Sequence, residues 1–187
     1  MKRYQALLAA AACSIMLSGC AAALVGATAV GISAATDSRS LGTQLDDQTI
    51  ELRVIRKLKG DSRLDDTRIQ VVAFNRSVLL LGQVSDSSLY DLVNHLVRNT
   101  EGVSKVHNEL RIAPVIDVAQ ISKDTWITSK IKAQLVADEN VKAVHIKVIT
   151  ENNEVALMGL VSPEQARQAI DIARNVSGVT QVIDAFQ

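Results

Sequence analysis

The chain has 187 residues, with 20 basic and 20 acidic side chains and a formal net charge of +0 at pH 7. That length allows one or two domains, and the charge balance supplies no global field to attract nucleic acid. Aromatics make up 3% of the chain, with two cysteines and one tryptophan, so a core must be built from Val, Ile, Leu and Ala.

Met1 to Cys20 has the form of an export signal. Lys2 and Arg3 are a basic start, and Ala6 to Leu17 is an apolar run too short to span a bilayer. Leu17-Ser18-Gly19-Cys20 resembles a bacterial lipobox, in which the cysteine sulfur is acylated and heads the mature protein. The next residue is Ala21 rather than Asp, which by that resemblance implies passage to the outer membrane. An ordinary signal peptide or short anchor is the alternative. With Cys13 removed and Cys20 lipidated, no thiol is left for a disulfide, a metal or a nucleophile. Loss of Lys2 and Arg3 leaves 18 basic against 20 acidic residues. Ala21 to Ala35 is Ala-, Gly- and Val-rich and too short to cross a membrane, so it reads as a tether, followed by a polar linker from Thr36 to Asp46.

A repeat follows. Asp47, Ile50, Val54 and Leu58 have the spacing of Asp124, Ile127, Ile131 and Leu135, at a constant offset of 77. Each set reads as an amphipathic helix, the second over Ser122 to Leu135, with the aspartate expected at the N-cap. Trp126 falls on a different stripe from the core residues, and the offset pairs it with Thr49. The scaffold is repeated and the tryptophan is not.

Arg68 to Phe74 and Val78 to Val84 read as a hairpin about Asn75-Arg76. His145 to Thr150 and Val155 to Val161 read as its counterpart about Asn152-Asn153, where Asn tolerates positive φ. Leu89, Leu92, Val93, Leu96 and Val97 form one following helix face. Ala166, Ala169, Ile170 and Ala173 form the other, opened by Pro163. Gly102 and Gly178 mark the helix ends, and Val103 to Ile112 and Val179 to Phe186 are the last strands. The expected fold is α+β, two tandem αββαβ units, each a three-stranded sheet packed against two helices. The expected divisions are a signal peptide over 1–19, a lipidated tether and linker over 20–45, domains over 46–112 and 122–187, and a linker over 113–121.

No catalytic constellation stands out. His95, His107 and His145 are scattered and lack metal-ligand spacing. The pairs Asp46-Asp47, Asp65-Asp66 and Asp138-Glu139 fall at expected element ends, where caps and turns explain them. No GxSxG, phosphate loop or HExxH occurs, so neither an enzyme nor a cofactor is expected. Gly82 and Gly159 mark either a ligand approaching the sheet or, as is usual for strand glycines, a bulge or close helix packing.

The strand glycines in Leu-Leu-Leu-Gly82-Gln-Val and Ala-Leu-Met-Gly159-Leu-Val, with Gly102-Val103 and Gly178-Val179 before the last strands, resemble tandem BON domains. Behind a lipobox, the whole mature chain is similar to the dual BON-domain outer-membrane lipoproteins of Gram-negative bacteria. That resemblance implies a non-enzymatic periplasmic pair that supports outer-membrane integrity and gathers at the division site. It also implies binding of anionic phospholipid, such as phosphatidylglycerol or cardiolipin, in the inner leaflet, through the first helix of the second domain.

The tryptophan asymmetry points to the same helix. Trp126 with Lys123, Ser129, Lys130 and Ala133 forms a candidate lipid-facing stripe, an amphipathic ring beside lysines. The alternatives are that Trp126 packs between the two domains, or that this helix is the interface of an adaptor for envelope assembly proteins.

Overall fold

Each αββαβ unit begins with a helix that starts well before its first core residue. The computed structural model describes residues 40–187, so the readings of a signal peptide, of Cys20 and of the tether lie outside the described residues. Helix α1 (Leu41–Lys59) is capped by Ser40, whose Oγ accepts from Thr43 N at 3.1 Å. Its second-unit counterpart α3 (Val118–Ala137) is capped by Asp117, which accepts from Gln120 N at 2.8 Å.

This corrects the expected N-caps. Asp47 and Asp124 lie inside the helices, buried, on the side that faces the sheet. Asp47 accepts from Asn75 N and Arg76 N at 2.7 and 2.8 Å. Asp124 accepts from Asn152 N and Asn153 N at 2.7 and 2.9 Å, and from Gln120 Nε2 at 2.8 Å. The physical reason lies in the hairpins. Asn75, Arg76, Asn152 and Asn153 all have positive φ, between 47° and 65°, as a tight type I′ turn requires. Such a turn leaves two amides outside the ladder, and a buried amide needs an acceptor. The aspartates supply it from the helix.

The hairpins join β1 (Arg68–Phe74) to β2 (Ser77–Val84) and β4 (Ile146–Glu151) to β5 (Glu154–Gly159). Helix α2 (Ser87–Arg98) and helix α4 (Pro163–Arg174) then lead to β3 (Lys105–Ile112) and β6 (Gln181–Asp184). Ser162 and Gln165 form a capping box on α4, with Pro163 in its first turn. In each sheet the hairpin's second strand is central, antiparallel to the first and parallel to the last. The last strands start later than expected, because Gly102 and Gly178 adopt φ of 93° and 95° and the amides of Val103 and Val179 close turns onto Thr100 O and Val176 O.

The strand glycines need a second correction. Pairing runs through Ile69↔Gly82 and Ile146↔Gly159 without a bulge. The close neighbour is the adjacent strand itself. A Cβ on Gly82 would stand 1.9 Å from Arg68 O, and one on Gly159 2.3 Å from His145 O. The neighbouring strand's backbone fills that space.

Alternating strand residues build three apolar cores. Ile50, Val54, Leu58, Leu80, Val93 and Val97 are among those that fill the space between α1, α2 and the first sheet. Ile127, Ile131, Leu135, Val155, Leu157 and Ala173 do the same for the second unit. The third core joins the units. Phe74, Leu79 and Leu81 pack with Ala156, Met158, Ile183 and Ala185. The sheets are therefore covered on both faces, by helices on one side and by each other on the second. Buried Glu151 pins this junction, accepting from Arg68 Nε at 2.8 Å, Gln83 Nε2 at 2.9 Å, and Gln70 Nε2.

Candidate membrane-contact helix

Helix α3 presents two apolar faces. At 100° per residue, Ile127, Ile131 and Leu135 point inward and are buried. The opposite face carries Val118, Ser122, Trp126, Ser129, Ala133 and Val136, all exposed. Trp126 is 50% exposed, and Val118 and Val136 are 77% and 75% exposed. The last two are five turns apart and share one angular position, so they bracket the tryptophan.

Charge on this surface has one sign. Lys123 and Lys130 are exposed on the tryptophan's side and Lys132 on the other flank, whereas Asp124, the acidic residue within α3, is buried under the hairpin, and exposed Asp117 and Glu139 lie beyond the helix ends. Lys130 Nζ sits 5.3 Å from the Trp126 ring centroid, a cation–π contact. Ser129 Oγ turns back onto Thr125 O at 2.9 Å, which hides the hydroxyl proton and leaves a small smooth site beside the ring.

Of the residues expected from sequence, Trp126, Ser129, Lys130 and Ala133 share the outer face, and Lys123 flanks it. Trp126 does not pack between the domains; the junction is built from strand residues. Val118 and Val136 lie outside the helix expected over Ser122 to Leu135. The signal that finds them is their 18-residue separation once the true helix start is known. At the position equivalent to Trp126, α1 has exposed Thr49, whose Oγ1 donates to Leu45 O at 2.8 Å.

Among the described residues, no group of three or more His, Cys, Asp or Glu side chains could hold a metal. No described helix is long and apolar enough to cross a membrane. His107, on β3, has a pKa lowered chiefly by burial, with Lys105 adding to the effect against Glu109 and Asp184.

The family model of the BON domain matches residues 46–114 and 123–187. This chain belongs to the BON-domain family. It is 45% identical over 175 residues to outer membrane lipoprotein DolP of Haemophilus influenzae, covering 93% of this chain and 91% of that protein. It is 49% identical over 148 residues to the 21 kDa hemolysin of Actinobacillus pleuropneumoniae, covering 79% and 76%. It is 32% identical over 145 residues to osmotically-inducible protein Y of Escherichia coli, covering 76% and 72%. The tandem BON domains and these likenesses place the chain among dual BON-domain outer-membrane lipoproteins.

Proposed function

We propose that the second BON domain docks on anionic phospholipid through the outer face of α3, while a lipidated Cys20 tethers the chain to the inner leaflet of the outer membrane. The protein acts by binding rather than by catalysis, and supports outer-membrane integrity, in particular at the division site. The observation that carries this reading is the Trp126–Lys130 pair on a face that offers lysines and no exposed carboxylate.

The magnitudes suit an anchored protein. Each lysine near an anionic surface contributes about 1 kcal/mol, so Lys123 and Lys130, on the tryptophan's side of α3, contribute about 2 kcal/mol. An interfacial indole adds about 2 kcal/mol, taken as the burial of a large apolar side chain. A total of about 4 kcal/mol corresponds to a dissociation constant on the order of 1 mM. That is weak for a free domain, but the acyl anchor holds the helix at high local concentration beside the bilayer.

The test follows Trp126 fluorescence in the soluble form starting at residue 37. It is titrated with zwitterionic vesicles and with vesicles containing phosphatidylglycerol or cardiolipin. A blue shift with the anionic vesicles alone, lost in Lys130→Glu, is the expected result. No shift with either vesicle in a folded protein overturns the reading, and would favour α3 as an adaptor surface for envelope assembly proteins.

A further inference from the structure

The outer face of α1 is not a weaker copy of α3. Leu45 and Leu52 are 63% and 52% exposed there. The 77-residue offset pairs them with Ser122 and Ser129, and pairs Thr49 with Trp126. Each helix thus places apolar groups where the other has hydroxyls. Leu45 and Leu52 are seven residues apart, which puts them in one row, the spacing by which a second helix is read.

Beside the C-terminal half of α1, toward β1, the surface is concave. Ile55, Leu58, Leu64, Ile69 and Val71 line a groove of about 380 Å³, with Lys59 among the residues bounding it. Arg56 and Lys59 are exposed, and their side chains hold no hydrogen bond or ion pair among the described residues. The other cations of this helix are engaged. Arg53 pairs with Glu101 at 3.6 Å, and Lys57 Nζ donates to Asn99 O at 2.8 Å. The acidic groups nearby are Asp46 beside Leu45, Glu51 beside Leu52, which accepts from Ala73 N at 3.1 Å, and Asp65 in the groove with Asp66 next to it.

We propose that this face of the first BON domain, Leu45 and Leu52 with the adjoining groove and with Arg56 and Lys59, binds an acidic amphipathic helix of a protein partner. Apolar side chains of that helix sit on the leucine row and in the groove, and its carboxylates meet Arg56 and Lys59. A flat bilayer fits this face poorly, because the groove is shaped to receive side chains. This surface is separate from the α3 face.

The probe is a labelled synthetic helical peptide with leucines seven residues apart flanked by glutamates. Its twin carries lysines in place of the glutamates. Both are titrated by fluorescence anisotropy against the soluble form starting at residue 37. The glutamate peptide is expected to bind at least about tenfold tighter than its twin, a difference of about 1.4 kcal/mol. Leu45→Ser/Leu52→Ser, which copies the serines of α3, is expected to remove binding. Arg56→Glu/Lys59→Glu is expected to reverse the preference, and Trp126→Ala to leave it unchanged. The charge swap stands as a test by itself if the leucine variant misfolds. Equal binding of the twins overturns the proposal. So does concentration-dependent dimerisation abolished by the leucine variant, or vesicle binding that persists in Trp126→Ala and vanishes when the leucines are replaced.

Discussion

Asp124 holds the hairpin amide of Asn152 at 2.7 Å from inside a helix, 28 residues earlier in the chain. Asp47 makes the same bond to Asn75 at 2.7 Å. Each aspartate joins the first helix of its unit to the tip of the hairpin, and these are the two elements that must align for the core to close.

Removing this link costs more than removing a helix cap. Asp124→Ala leaves two amides without a charged acceptor, and such bonds contribute about 1.5–3 kcal/mol each. We expect a loss of about 3 kcal/mol or more in urea unfolding, against about 1 kcal/mol for a lost N-cap. Asp124→Asn, which keeps one good acceptor, falls between. A loss near 1 kcal/mol in Asp124→Ala would return the residue to a capping role.

The strand glycines have no room for a methyl group. Gly82→Ala puts a Cβ into the Arg68 carbonyl at a φ of 130°, and is expected to prevent the first sheet from forming. Gly42→Ala lies in the first turn of α1, where the nearest atom to a Cβ is Ser40 Oγ at 3.7 Å. There the better helix former should raise stability by about 0.5–1 kcal/mol. Circular dichroism melts of the two variants check both.

The junction should make the two BON domains unfold together. Leu81→Ala opens a cavity at the contact between the sheets and is expected to cost about 2–5 kcal/mol. Its transition, followed by Trp126 fluorescence in the other unit, should move with that followed by far-ultraviolet circular dichroism. Glu151→Ala strands Arg68, Gln70 and Gln83 and is expected to cost about 3 kcal/mol. A Trp126 transition that ignores both substitutions would show that the units are independent.

Acid should act through the cap of α2. Hydrogen bonds from Ser88 Oγ, then Leu89 N and Ser85 Oγ, pull the Asp86 carboxyl from 3.8 down to about 2. A depressed carboxylate stabilises the fold above its unfolded pKa and loses that contribution as pH falls through the folded value. The Asp86 share of stability is therefore complete above about pH 4 and disappears toward pH 2. Asp86→Ala should flatten stability against pH in that window, and carbon NMR should give the Asp86 carboxyl a midpoint well below that of a free aspartate.

Trp126 should matter to binding and little to folding. Its ring is half exposed outside the core, so Trp126→Ala is expected to shift stability by less than about 0.5 kcal/mol. Under the lipid-docking proposal, it should lower affinity for anionic vesicles about tenfold or more.

Much of this fold was legible because its signals are local. The period of four in Ile127, Ile131 and Leu135, the Asn-rich turns and Pro163 before an alanine face each fix an element within a few residues. The helix starts were misplaced because Asp47 and Asp124 stand immediately before an apolar period, where an aspartate matches a cap. Only the hairpin, 28 residues later, explains why each is buried instead. The junction was missed for a different reason. Val78-Leu79-Leu80-Leu81 and Val155-Ala156-Leu157-Met158 are unbroken apolar runs rather than alternating ones, the mark of strands covered on both faces. For the candidate site, the asymmetry between Trp126 and Thr49 located the helix, while Val118 and Val136 lay beyond the boundaries drawn for it.

A strand covered on both faces also limits how the pair can be divided. Cutting between Ile112 and Val118 severs few covalent constraints, yet it would leave Phe74, Leu79 and Leu81 facing water on one half and Ala156 and Met158 on the other. Neither half is a finished molecule. A lone copy of either unit would have to recruit a lid for its sheet, whether from another domain or from its own twin. Two units in one chain make that lid permanent and leave the outer helices free to differ.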